Sequence, residues 1–189
     1  MLKRGIQLIT LVSCIALVSA CTPVLSNQPI TDNKGSRSLG TLYNDQLIET
    51  ATVDAILRAS PLLETAHVNA VSVNGIVLLV GQVPSEDTKI IAGAKARNIV
   101  NARKVHNELL VSRPASYVVR TSDTLITAKV KARMVGENYF PVSRIKVVTE
   151  NGVVYLMGLV THAEADLAVK VASNASGIQR IVKVFEYID

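Results

Sequence analysis

The sequence predicts an α+β fold made of two tandem copies of one small unit, each a three-stranded mixed sheet covered by two helices in the order α-β-β-α-β. Two observations predict it. An Asn-Gly pair lies between two β-rich runs at residues 74–75 and again at residues 151–152, which is the strongest short signal for a β-hairpin. The apolar runs around these turns, residues 73–83 and 150–160, are nearly the same sequence, so the chain repeats itself.

Composition and charge narrow the class of protein. The 189-residue chain is 49% hydrophobic and 19% charged, with 4% aromatic residues and no Trp, so it folds around cores of Val, Ile, Leu and Ala. The formal net charge is +5 and falls to +3 if the two cations Lys3 and Arg4 are removed with a leader. That charge is too mild for a nucleic-acid-binding protein.

Residues 1–20 are predicted to be a lipoprotein signal peptide. Two cations are followed by an uncharged apolar run that is short for a permanent membrane span, and small residues precede Cys21. This order resembles a bacterial lipobox, which implies cleavage before Cys21 and a covalent lipid anchor on its sulfur. The alternative is a secreted protein cut after Ala20. In either case Cys14 leaves with the leader, so the mature chain has one cysteine and no intrachain disulfide.

A flexible tether is predicted between the anchor and the folded body. Residues 21–44 are rich in Pro, Gly, Ser, Thr and Asn and have no apolar period. The two copies of the repeated unit follow, as a first domain over residues 45–113 and a second over residues 122–189.

The two copies show the same order of elements. A shift of 77 residues superimposes Gly75 on Gly152 and Val53 on Val130. The first copy is predicted to have a helix over 45–59, strands over 68–73 and 76–83, a helix over 86–101 and a strand over 104–111. The second is predicted to have a helix over 123–136, strands over 145–149 and 153–160, a helix over 162–175 and a strand over 180–188.

Helix starts are predicted from capping residues. Ser85 precedes the second helix of the first copy, and Thr161 with Glu164 has capping-box spacing at the second helix of the second copy. Asp123 is predicted to cap the first helix of the second copy.

Four glycines are predicted to be structural. Gly75 and Gly152 complete the two turns, and Gly81 and Gly158 stand late in the strand that follows. A bend, a bulge or the close approach of a helix, which a Cβ would obstruct, accounts for the second pair better than a ligand contact does. Valine at either position of that pair is expected to destabilise its own domain.

This order of elements, with a Gly late in the second strand, resembles the BON domain. The residues that carry the resemblance are Val73-Asn74-Gly75, Val80-Gly81 and Val105-His106-Asn107 in the first copy, and Asn151-Gly152, Met157-Gly158-Leu159-Val160 and Gly177-Ile178 in the second. Together with the lipobox, they make the chain similar to dual-BON outer-membrane lipoproteins. The resemblance implies binding of anionic phospholipid through the second BON domain, a part in outer-membrane integrity and accumulation at division sites. Thr22, where inner-membrane lipoproteins tend to have Asp, implies the periplasmic face of the outer membrane.

Catalytic chemistry is not predicted. His67, His106 and His162 are scattered and have no metal-ligand spacing, and the chain has no nucleophile or phosphate-binding motif. We therefore expect no enzyme activity, no metal and no cofactor other than the covalent lipid on Cys21.

The first helix of the second copy has two apolar stripes. Ile126, Val130 and Met134 are spaced by four and are predicted to face the sheet. On the other side a second stripe is bordered by cations. This predicted phospholipid-binding surface comprises Leu125, Ala128, Lys129, Lys131, Ala132, Arg133 and Val135. A helix on one sheet needs one apolar stripe, so the second indicates contact with another surface, such as an anionic membrane.

The same helix of the first copy differs in charge. Glu49 and Asp54 replace apolar or basic residues there, and Arg58 is its only cation, so only the second copy is expected to have a spare apolar side. Two alternatives remain open: the outer stripe packs on the first domain, or it docks on an outer-membrane assembly protein without lipid. A role in binding peptidoglycan has less support from the sequence, because few aromatic residues are present to stack on sugars. Relatives can have Trp near the start of this helix where Leu125 stands, which predicts a lower affinity for the lipid interface.

Overall fold

The structure, a computed structural model, describes residues 35–137 and 140–189. The predicted leader, Cys21 and the predicted tether up to residue 34 lie outside them. The first domain consists of α1 (Leu39–Leu57), α2 (Pro61–Glu64), β1 (His67–Val73), β2 (Ile76–Val83), α3 (Glu86–Arg97), β3 (Lys104–Asn107) and β4 (Leu110–Val111). The second consists of α4 (Tyr117–Gly136), β5 (Ile145–Glu150), β6 (Val153–Val160), α5 (His162–Ser173) and β7 (Arg180–Tyr187).

Each domain has one mixed sheet, which confirms the predicted fold class. The hairpin strands β1 and β2 are antiparallel, and β2 pairs in parallel with β3 and β4. The second sheet has the order β5-β6-β7 with the same directions. The last strand of the first sheet differs from the prediction because it is interrupted after Asn107, where Leu109 turns inward and is fully buried in the core.

The two Asn-Gly turns fix the register of both hairpins. Asn74 and Gly75 have φ angles of 53° and 74°, and Asn151 and Gly152 have φ angles of 52° and 75°. Positive φ at both central residues is the type I′ geometry, whose twist matches that of the flanking strands. Val73 is therefore paired directly with Ile76.

Both long helices begin six residues earlier than predicted. The N-caps are Ser38 and Ser116, whose side chains accept hydrogen bonds from the N–H groups of Thr41 and Val119. Residues 39–44 are therefore helical, and the tether predicted for them is wrong. The first turns of α1 and α4 are mostly exposed, so they show no apolar period by which the sequence could have revealed them.

The repeat of the two helices is offset by 78 residues, one more than that of the hairpins. The buried residues of α1 are Asp45, Ile48, Thr52 and Ile56, and those of α4 are Asp123, Ile126, Val130 and Met134. Val130 is thus equivalent to Thr52, and its predicted equivalence to Val53 is wrong. The connection between helix and hairpin is one residue shorter in the second copy.

The two domains pack through their sheets, with the helices on the outside. The contact is formed by Val71, Val73, Ile76, Leu78 and Val80 of the first sheet and Tyr155, Met157 and Val184 of the second. All eight residues of β2 are buried, because one face of this strand meets the helices and the other meets the second sheet. Burial in this contact raises the pKa of Tyr155 to about 12.

Polar contacts join the domains at the edges of this sandwich. The Arg103 guanidinium donates two hydrogen bonds to the Glu186 carboxylate, at 2.7 and 3.1 Å, and the Asn74 amide donates a third at 2.7 Å. Elsewhere Lys146 Nζ lies 2.7 Å from Glu49 Oε1. These contacts fix the lateral position of one sheet on the other.

We expect Glu186→Gln to weaken the contact between the domains and to make the unfolding free energy less dependent on pH. Arg103 lowers the pKa of Glu186, chiefly through its hydrogen bond. The contact therefore stabilises the fold at pH values above the pKa that Glu186 has in the unfolded chain. This stabilisation is lost as the pH falls through the lower pKa that Glu186 has in the folded protein. The expected cost at pH 7 is about 1 kcal/mol, since Arg103 is half exposed. Urea unfolding at pH 7 and at acid pH measures it. Asp166→Asn, which removes an exposed ion pair to Lys183, is the control and should be neutral.

Candidate functional site

The outer side of α4 is exposed to solvent. Ile126, Val130 and Met134 are buried against the second sheet, as their spacing predicts, and this orientation turns the second stripe outward. Leu125 is 56% exposed and Val135 is 70% exposed. Ala128 and Ala132 are exposed between them. The stripe does not pack on the first domain, so that alternative is excluded.

Cations border this stripe on both edges. At about 100° per residue, Lys131 lies on one edge, and Lys129 and Arg133 lie on the other. In the part of the chain that the structure describes, none of the three forms an ion pair with a carboxylate, and Lys129 Nζ instead lies 3.1 Å from Ser176 Oγ. Their positive charge is therefore not neutralised by the fold.

Three further residues extend the same face beyond the predicted set. Because α4 begins at Tyr117, the exposed side chains of Tyr117, Val118 and Arg120 continue the outer side toward its N-terminus. Tyr117, Arg120 and Leu125 help to line a shallow depression of about 420 Å³. The sequence signal for this earlier start is Ser116, which stands as a possible N-cap two residues after Pro114.

The orientation of α4 is set by a buried carboxylate. Asp123 does not cap the helix as predicted, because it lies inside α4 and is buried. Its two oxygens accept hydrogen bonds from the N–H groups of Asn151 and Gly152, both at 2.8 Å. Thr127 Oγ1 adds a bond to Thr149 Oγ1 at 2.7 Å. These bonds fix the helix to the hairpin and so determine which side of α4 faces outward.

The first domain also has an apolar outer side, contrary to the prediction. Leu39, Tyr43 and Leu47 of α1 are 85%, 68% and 51% exposed. Glu49 does not lie on this side, because its carboxylate binds the Ser72 N–H and Lys146. The asymmetry between the two domains is therefore one of charge, since the positions equivalent to Lys129, Lys131 and Arg133 are Ala51, Val53 and Ala55.

The three histidines lie apart from one another. His67 is 3.9 Å from Glu150, and burial lowers the pKa of His106. His162 stacks on Tyr187 and lies 2.7 Å from Asp189. Residues 35–137 and 140–189 contain no group of three or more His, Cys, Asp or Glu that could bind a metal ion. None of the described helices is long and apolar enough to cross a membrane.

The four glycines that were predicted to be structural lie at tight backbone positions. A Cβ on Gly81 would be 2.0 Å from the His67 carbonyl oxygen, and a Cβ on Gly158 would be 2.4 Å from the Arg144 carbonyl oxygen. Gly75 and Gly152 have the positive φ of their turns. The close approach at Gly81 and Gly158 comes from the neighbouring strand's backbone and not from a helix.

The family follows from a comparison of the sequence with known families. The profile of the BON domain matches residues 44–113 and 122–189. The chain is a BON-domain protein. Each BON domain contains one of the two sheets described above, and the prediction of a dual-BON chain is confirmed.

Three relatives match most of the chain. Outer membrane lipoprotein DolP of Haemophilus influenzae is 38% identical over 153 residues, covering 81% of this chain and 79% of that protein. A 21 kDa hemolysin of Actinobacillus pleuropneumoniae is 31% identical over 80% of this chain and 78% of its own length. Osmotically-inducible protein Y of Escherichia coli is 27% identical over 76% of this chain and 72% of its own length.

Proposed function

We propose that this protein is an outer-membrane lipoprotein that binds anionic phospholipid through its second BON domain and supports outer-membrane integrity, including at division sites. Cys21 carries the lipid anchor, and the two BON domains face the periplasm. The role is non-catalytic and requires no cofactor. The 38% identity to an outer membrane lipoprotein and the lipobox before Cys21 support the anchor and the location.

One observation supports the lipid site above all others. The outer side of α4 exposes apolar side chains next to Arg120, Lys129, Lys131 and Arg133, and none of these cations is paired with a carboxylate among the described residues. The sole acidic residue of α4, Asp123, is buried and bonded to the hairpin. The face therefore presents only positive charge, which suits an anionic membrane and disfavours a basic partner.

The expected binding free energy of the α4 face suits a contact that supports a lipid anchor and is too small to replace one. Each cation near an anionic surface contributes on the order of 1 kcal/mol, and the partly exposed Leu125 and Val135 add about 1 kcal/mol each on insertion. A total of about 6 kcal/mol corresponds to weak binding by an isolated domain. A covalent lipid raises the local concentration of the bilayer, so the same contact is occupied most of the time.

We expect Lys129→Glu to weaken binding to anionic vesicles and to leave the fold unchanged. The substitution reverses one charge on the face, which costs about 2 kcal/mol, or roughly thirtyfold in affinity. Vesicle sedimentation of the Cys21→Ser mature chain at low salt measures it, with anionic and zwitterionic vesicles compared. Leu125→Glu should also weaken binding, because it places a charge where an apolar side chain inserts.

The matched control is Lys95→Glu, an equal change of charge on α3 of the first domain, which should retain binding. A second candidate function is docking on a protein of the envelope assembly machinery, favoured by the exposed Leu125 and Val135, which suit a protein surface equally well. Equal binding to anionic and zwitterionic vesicles, or equal loss with Lys95→Glu, would contradict the lipid site and favour this candidate.

A further inference from the structure

The outward side of α1 has an apolar stripe that differs in kind from the α4 face. Leu39, Tyr43 and Leu47 follow at intervals of four and lie along one side of the helix. They occupy its N-terminal half, and the first charged residue on the same side is Asp54, near its C-terminal end. The stripe is therefore apolar and uncharged, whereas the α4 face is apolar and positive.

We propose that this stripe is a second membrane contact, which touches the bilayer carrying the anchor and does not require anionic lipid. It rests on the lipid anchor of the proposed function and adds a surface on the other BON domain. Because the sheets pack face to face with the helices outside, α1 and α4 lie on opposite sides of the sandwich. The two surfaces therefore contact the bilayer in alternative orientations of the protein, and they have different lipid requirements.

The position at which the described chain begins supports a bilayer as the occupant. Gly35 packs against the second domain, where an added Cβ would lie 2.5 Å from the Leu159 carbonyl oxygen, and Arg37 pairs with Asp45 of α1 at 3.0 Å. The residues between Cys21 and Gly35 span at most about 50 Å even when fully extended. The apolar stripe begins at Leu39, four residues later, so it lies on the helix that directly follows the anchored segment.

The size of the stripe argues against a second copy of the chain as the occupant. Its three side chains expose on the order of 400 Å², about half of what each partner buries in a stable protein complex. A bilayer contact can be this small because the anchor has already brought the two surfaces together. Leucine inserts into hydrocarbon, and tyrosine prefers the membrane interface. The absence of a cation in the stripe removes any need for anionic lipid.

The absence of Trp from the sequence makes a direct test possible. The mature chain is coupled through Cys21, its one cysteine, to a maleimide lipid, so the test does not depend on acylation by the cell. Single-Trp variants Leu47→Trp and Ile90→Trp are placed in zwitterionic vesicles with brominated acyl chains. Ile90, on α3, is the matched control because it is 59% exposed, close to Leu47. Tyr43→Trp is a second reporter if Leu47→Trp fails to fold by circular dichroism.

We expect the Trp at position 47 to be blue-shifted and quenched several-fold more by the brominated lipid than the Trp at position 90. Equal quenching at the two positions, or quenching that requires anionic lipid, would overturn the proposal. A blue shift that bromine does not quench and that disappears with one chain per nanodisc would identify a second copy as the occupant and would also overturn it. Leu125→Trp, measured in anionic vesicles, reports the α4 contact independently. The proposal for one surface can therefore be contradicted while the proposal for the other stands.

Discussion

Replacing Gly81 with alanine should strongly destabilise the first domain. Its φ of +122° lies in a region that side chains with a Cβ rarely adopt, and the added Cβ would lie 2.0 Å from the His67 carbonyl oxygen on the paired strand. Backbone strain and overpacking each cost about 1–3 kcal/mol, and together they give about 4 kcal/mol. That loss is a large part of the stability of a small domain.

Urea unfolding followed by circular dichroism measures this loss. Gly40→Ala is the control in the same domain, because Gly40 lies in the first turn of α1 with only Ser38 Oγ near an added Cβ, at 3.7 Å. It should be neutral or slightly stabilising, since alanine favours the helix. A Gly81→Ala variant as stable as Gly40→Ala would show that the strand can move away from the new methyl group, and the structural role of this glycine would be lost.

The local features of the fold could be predicted because short-range chemistry determines them. An Asn-Gly turn has one favoured geometry between two strands, so the register at Val73 and Ile76 follows from the turn alone. Ser85 caps its helix and the capping box of Thr161 with Glu164 forms, as the sequence predicts. The inward stripe of α4 follows from the helical period.

The packing of the two domains could not be predicted in the same way. A run such as residues 76–80, apolar at every position, is typical of a strand buried on both faces. It indicates that a second covering surface exists, but it does not say which surface that is. The sheet of the other domain covers it, through contacts between residues that are roughly 80 positions apart in sequence.

The candidate site was predicted only in part. Leu125, Lys129 and Val135 lie on one exposed side as the helical period indicates. Tyr117 and Arg120 were missed because the start of α4 was assigned to Asp123, which reads as a cap in sequence. A buried acceptor inside a helix and an N-cap use the same residue type, and only the position of the hairpin distinguishes them.

Asp45→Ala should be as damaging as the change at Gly81. The Asp45 carboxylate accepts hydrogen bonds from the N–H groups of Asn74 and Gly75, both at 2.9 Å, and from Ser72 Oγ at 2.7 Å, and it also pairs with Arg37. Removing it leaves these donors without their acceptor, at a cost of about 3–5 kcal/mol. Asp54→Ala on the same helix removes only an exposed pair with Arg58 and should change the unfolding free energy by less than about 0.5 kcal/mol.

The pH dependence of Asp45 gives the same contact a second, independent test. Burial acts to raise the pKa of this carboxyl, but hydrogen bonds from Gly75, Ser72, Asn74 and Arg37 together lower the pKa below its usual value. A lowered folded pKa means that the contact stabilises the fold above the unfolded pKa of about 3.9 and is lost as pH falls through the folded value. Urea unfolding from pH 7 to pH 3 should therefore show the wild-type first domain losing stability more steeply than Asp45→Asn, which cannot titrate there. Parallel curves for the two proteins would mean that the carboxylate is not what fixes α1 to its hairpin.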